Sequence, residues 1–216
     1  FVHGSVFLLA ELPILDRSVY NTSMSRPIEF DRPKAVNRAL VLFWRKGYQA
    51  TSLTDLLETM DIGRSSFYAA FKDKRIFFIE CLDLFADRTL HLLQSARSEK
   101  PPVEALENFF QRNFMGTRGI GVKKNWGCML VNTVLEMSGF DDELSEHASH
   151  HLNTMELSFR DLLEEAGALP LQAQELAAML MLFNEGIRVS SRRRLPDKQH
   201  LQTIDTTFRL IRSALA

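Results

Sequence analysis

From Arg32 onward, apolar side chains return every three or four positions, the spacing that lines one face of an α-helix. Val36, Ala39, Leu40, Phe43 and Trp44 make the first stripe, and Gly47 stands where a helix closes on a residue free to adopt positive φ. Leu53, Leu56, Leu57 and Met60 make the second, opened by Ser52 and Asp55 at the spacing of a capping box. Asp61-Ile62-Gly63 interrupts it, and a short helix follows from Arg64 to about Phe71, with Phe67 and Phe71 one turn apart. A long helix is predicted from about Asp73. Ile76, Phe77, Ile79, Cys81, Leu82, Leu84 and Phe85 make it apolar over more than half its circumference, which predicts burial between two domains. Further helices are predicted over 103–114, 128–137, 142–167, 171–191 and 199–214. Residues 116–127, with four glycines, read as a loop. No stretch alternates as a strand does, so the expected class is all-α.

The segment 52–71 carries the strongest functional signal. Two short helices joined by a three-residue turn make a helix-turn-helix. Its first helix braces the second through Leu53, Leu56, Leu57 and Met60, and Asp61 can supply the positive φ that the turn needs. The second helix can then enter a major groove with its N-terminal residues at the base edges. Arg64 can pair bidentately with guanine, and Ser65 and Ser66 can meet bases or phosphate. Tyr68 faces away from Phe67 and Phe71 and can donate to phosphate. Lys72 and Lys74 sit where a helix start and an ammonium both favour phosphate. Thr51 and Ser52 complete the DNA-contact candidates.

Charge sharpens this picture. The chain's net charge is −1, but residues 25–75 carry 10 Lys/Arg against 6 Asp/Glu, and residues 76–216 carry 15 against 19. A basic segment on an acidic remainder is the layout of a DNA-reading head on a body of other function. The expected organisation is a DNA-binding domain over 25–75 and a larger second domain over 76–216, to which the family resemblance given next assigns ligand binding and dimerisation. Residues 1–24 read as a non-native or upstream extension. The sequence here resembles the tetracycline-repressor (TetR/AcrR) family. The match runs from about Ala35 to Leu84 and is carried by FWRKGY and TSLTDLLETMDIGRSSFYAAFKDKRIFF. Tyr68, Phe71 and Lys74 fall where that family has a Y-x-x-F-x-x-K run. Asp61 stands where glycine is usual there, and Gly63 where serine is a common cap. The later GCMLVNTVLEM is similar to a subgroup of the same family. The resemblance implies a three-helix DNA head, a connecting helix and an all-α body that binds a small-molecule effector and dimerises. The implied function is a repressor that the effector releases from double-stranded operator DNA.

In the second domain, Phe110, Phe114, Trp126, Cys128, Met129, Asn132, Glu136 and Phe183 are the candidate effector-binding residues, with Asn132 and Glu136 as polar anchors one turn apart. As single residues, the aromatic ones read equally as packed core. Leu201, Ile204, Phe208, Ile211 and Leu215 form a narrow seam on the last helix, and Leu180 and Ile187 lie at matching spacing on the one before. Such a stripe reads as internal core or as a subunit seam; because an operator-binding head needs two-fold pairing, Leu180, Ile187, Leu201, Ile204, Phe208 and Ile211 are the expected homodimer interface, an intersubunit four-helix bundle.

Other chemistry is thinner. Cys128 follows Lys123 and Lys124 near a helix start, where a thiol could be activated; a small buried side chain is the plainer reading. A redox or small-molecule sensor working through Cys128 without DNA is the alternative function. Glu143, His147 and His151, with His150 beside them, share metal-ligand spacing. No cysteine or distant carboxylate completes that set in the sequence, so a solvated helix face and no bound metal are expected. Arg192-Arg193-Arg194 reads as a solvated helix end. No nucleophile elbow, P-loop, HExxH or dinucleotide fingerprint is present, so neither an enzyme nor a cofactor is expected. Two cysteines give no disulfide framework, and no apolar run reaches membrane length. A cytoplasmic location is expected.

Overall fold

The structure is a computed structural model describing residues 30–115, 126–193 and 196–216. The proposed extension 1–24, most of the glycine-rich loop and Arg194 lie outside the described residues. The helices are α1 (Arg32–Lys46), α2 (Leu53–Met60), α3 (Arg64–Phe71), α4 (Lys74–Glu99), α5 (Pro102–Met115), α6 (Met129–Met137), α7 (Asp142–Glu165), α8 (Pro170–Ser190) and α9 (Asp197–Leu215). A 3₁₀ turn, Ser191–Arg193, follows α8. No strand occurs among the described residues.

Local chemistry sets the first three helices. The Asp31 carboxylate accepts from the Lys34 N–H at the start of α1, and Gly47 ends that helix at φ +86°. Ser52 and Asp55 form the capping box expected from their spacing. Asp61 closes α2 in the left-handed region, at φ 60° and ψ 50°. The three helices close over an aromatic cluster completed by the first turns of α4. Phe43 meets Phe78 edge-on at 4.8 Å, and Phe71 lies 4.2 Å from Phe77. The head is thus seated on α4 through a shared core.

Beyond the head, α4 runs beside α7, held at three levels. Arg75 pairs with Asp141 and Glu143, Asp83 meets His147 and His151, and Arg97 pairs with Glu165. Partner numbers rise together, so the two helices are parallel. The body's core is a knot of rings: Phe110 contacts Phe159, Phe183 and Phe208 at 5.4–5.6 Å.

The expected dimer seam needs correction. Leu180, Ile187, Ile204, Phe208 and Ile211 are all buried within the single chain, and Leu201 packs half-buried against the same core. The five buried side chains have almost no accessible area left to offer a partner. The spacing correctly marked a buried face, but α5 buries it: Phe208 lies on Phe110, and Arg212 of α9 pairs with Glu107 of α5. The apolar groups that face outward on α8 and α9 are Leu171, Met179, Leu182, Val189 and Leu210.

Candidate nucleic-acid interface and its link to the helical body

Helix α3 is divided by its periodicity. Phe67 and Phe71 are buried, while Arg64, Ser65, Tyr68 and Ala69 are exposed and Ser66 is half-buried. The base is rigid because Phe67 contacts both Phe71 and Phe77, each at 5.5 Å. Gly63 starts the helix with no side-chain cap, and a Cβ there would meet nothing within 4 Å. The backbone at this end is therefore open to close approach, as groove entry requires. Arg64 lies beside it, exposed.

Two of the expected DNA contacts change character. Thr51 is fully buried, and its hydroxyl donates to the Gly47 carbonyl at 2.6 Å. It holds the turn after α1, with its side chain turned away from solvent. Lys74 is half-buried, its ammonium 4.2 Å from the centre of the Tyr48 ring. Burial lowers its pKa, with Glu136 acting the other way. Ser52 is exposed but its hydroxyl is engaged with Asp55. Lys72, exposed in the turn from α3 to α4, adopts φ 64° and ψ −69°. The Asp73 N–H donates to the Phe71 carbonyl across it at 2.8 Å. This is the strained form of γ-turn, which a non-glycine residue rarely occupies.

Asn132 and Glu136 are both engaged by backbone groups of the protein itself. The Glu136 carboxylate accepts from the backbone N–H groups of Tyr48 and Gln49, at 3.0 and 2.8 Å. Gly47 ends α1, so those N–H groups have no helical acceptor, and a carboxylate from α6 supplies one. The positive φ calls for glycine at 47, and a Cβ there would lie 2.7 Å from Glu136 Oε2 and displace the carboxylate. Asn132 donates to the Trp126 carbonyl at 2.9 Å, and Arg192 donates to the same oxygen. Arg192 is therefore tied into this junction and is more than a solvated helix end. The Trp44 indole donates to the Gly127 carbonyl and packs edge-on against Trp126. These contacts wire the head to the segment around α6. Sequence spacing put Asn132 and Glu136 on one helix but could not show that the helix faces the head.

The eight candidate effector residues therefore divide. Phe110 and Phe183 stack within the body core, Phe114 stacks on His200, and Met129 is buried. Trp126, Asn132 and Glu136 belong to the head–body junction. Cys128 caps α6 but is buried, and burial pushes its thiol up from the ordinary range. The activation expected of a helix start is outweighed, which speaks against a sensor working through this thiol. Beside it lies Arg188, a charge that nothing in the helix's spacing singles out. It is only 9 % exposed, and burial disfavours its charged form. Among the described residues it has no carboxylate partner.

Two family models match the chain. Residues 36–81 match "Bacterial regulatory proteins, tetR family", and residues 102–207 match "Transcriptional regulator LmrA/YxaF-like, C-terminal domain". The chain is similar to the HTH-type transcriptional repressor ComR of Escherichia coli, 28% identical over 87% of this chain and 92% of that protein. It is also similar to the HTH-type transcriptional repressor BdcR of the same species, 24% identical over 77% of this chain and 82% of that protein. Among solved structures, a cysteine mutant of the TetR-family regulator CifR, in complex with 26-base-pair double-strand operator DNA, superposes with a TM-score of 0.75. Its identity is 24%, over 85% of this chain and 98% of that one. A TetR-family regulator from Streptomyces coelicolor superposes with a TM-score of 0.74 at 14% identity, over 85% and 95%. At these identities the structures speak for the fold.

Proposed function

The chain belongs to the TetR family and is a DNA-binding transcriptional regulator, and from that premise we propose that it is a dimeric repressor which a small-molecule effector releases from double-stranded operator DNA. The observation that carries the proposal is the exposed polar face of α3, headed by Arg64, on a buried aromatic base. Release works through the junction: a ligand that shifts α6 moves Glu136, and with it the turn that leads into α2. The buried Arg188 is the polar group we assign to the effector, which suits an anionic or strongly accepting ligand. The dimer forms through the outward apolar face of α8 and α9, because reading two half-sites needs two-fold pairing. Arg64→Ala tests the interface. On the cognate operator it should cost about 1–3 kcal/mol and relax preference at one base pair. Binding that keeps full affinity and specificity after this change would place the recognition surface elsewhere.

A further inference from the structure

We propose that Asp83, His147 and His151 form a binding site for one divalent transition-metal ion, which bolts the head-bearing helix α4 to α7. Both histidines project from α7 at the spacing of one turn, and each brings Nε2 to the same Asp83 oxygen, at 2.6 and 2.7 Å. The distant carboxylate that the sequence could not supply thus comes from α4. Glu143, which shares the histidines' spacing, is instead engaged by Arg75. The three donor atoms all lie within 4.8 Å of one another.

Two imidazoles on the same oxygen make a converging set of two nitrogens and one oxygen, from two helices. Imidazole donors suit zinc, copper and nickel, whereas magnesium and calcium favour oxygen alone. Bonds of about 2.1 Å at tetrahedral angles set ligand atoms about 3.4 Å apart. An ion can therefore enter if Asp83 and the imidazoles separate by less than an ångström, a change within the reach of rotamers. The side chains are 44, 33 and 19% exposed for Asp83, His147 and His151, which leaves an entry path and a fourth position for water. None of the three belongs to the DNA face, so ion uptake can be measured without DNA.

Equilibrium dialysis of the full chain against Zn²⁺ should show one ion bound per chain. Losing a ligand should weaken uptake by at least the about 10–100-fold that loss of a supporting hydrogen bond costs. That outcome is expected for His147→Gln and for His151→Gln, each checked for unchanged helical circular dichroism. His150→Gln should bind as the parent does. In the unmodified chain, Zn²⁺ should shift the ring signals of two of the six histidines, and should slow hydrogen exchange in α4 around Asp83. Stoichiometric uptake that survives the double change His147→Gln and His151→Gln would overturn the site. So would the absence of uptake at micromolar free Zn²⁺, or ring shifts at other histidines.

Discussion

Lys72 occupies backbone that usually belongs to glycine, in the turn that sets α4 against the recognition helix. Such strain costs about 1–3 kcal/mol, and the residues that bear it cluster at functional sites. Lys72→Gly should therefore leave folding stability unchanged or slightly raised while weakening operator binding. The loss should fall on cognate and non-cognate DNA alike, with the salt slope reduced by about one per chain, as for a phosphate contact. Denaturant titration and binding at several salt concentrations separate the two effects. A lost base preference would show instead that Lys72 reads sequence. Asp55 is the second residue with a measurable signature. Hydrogen bonds from Lys46 and Ser52 hold its carboxyl well below the usual carboxylate range. With the folded-state pKa depressed, the stabilisation is present above the unfolded value of about 3.9 and fades as pH falls below it. Asp55→Asn should thus be less stable than the parent at neutral pH, the gap narrowing on acidification. A gap independent of pH would assign its role to shape alone. The capping box and the positive φ of Asp61 were legible in the sequence because both depend on neighbours within a turn. The γ-turn at Lys72 was not, because lysine carries no signal for it and the flanking helices impose it.

At the scale of the helix, periodicity proved a sound guide to which face is buried and a poor one to what buries it. The seam through Ile204, Phe208 and Ile211 is regular enough for an intersubunit bundle, yet α5 of the same chain fills it. Phe208→Asp should accordingly unfold the chain, since it would put a charge into the ring cluster. Leu182→Asp and Leu210→Asp alter side chains that are 70% and 67% exposed. Both should keep the helical circular dichroism of the parent, sediment as monomer and lose cooperative operator binding. A folded dimer carrying both changes would move the interface off α8 and α9. The pairing of α4 with α7 teaches the same lesson from polar groups. Asp83 is one acid among many on a long helix until α7 is laid beside it.

For the whole molecule, the central feature is the wiring between head and body. Glu136→Gln replaces one acceptor oxygen with an amide that cannot accept, so one of the Tyr48 and Gln49 N–H groups loses its partner. A lost hydrogen bond of this kind costs about 1–3 kcal/mol. The amides of Tyr48 and Gln49 should exchange faster, and operator binding should respond less to effector. Unchanged exchange at both amides would rule out Glu136 as the link. The sequence by itself determined what short-range physics governs: helices from spacing, their ends from Asp31, Gly47, Ser52 and Asp61, the exposed polar face of α3, and the basic head on an acidic body. It also carried the family, because a helix-turn-helix is a local motif of some twenty residues. Only the tertiary structure decided the rest. Glu136 became a clasp on the head, Cys128 an inert buried thiol, and Asp83 the partner of two histidines, because each depends on a helix distant in sequence. A helix's own pattern fixes which side chains share a face, while its place among the other helices fixes what that face meets.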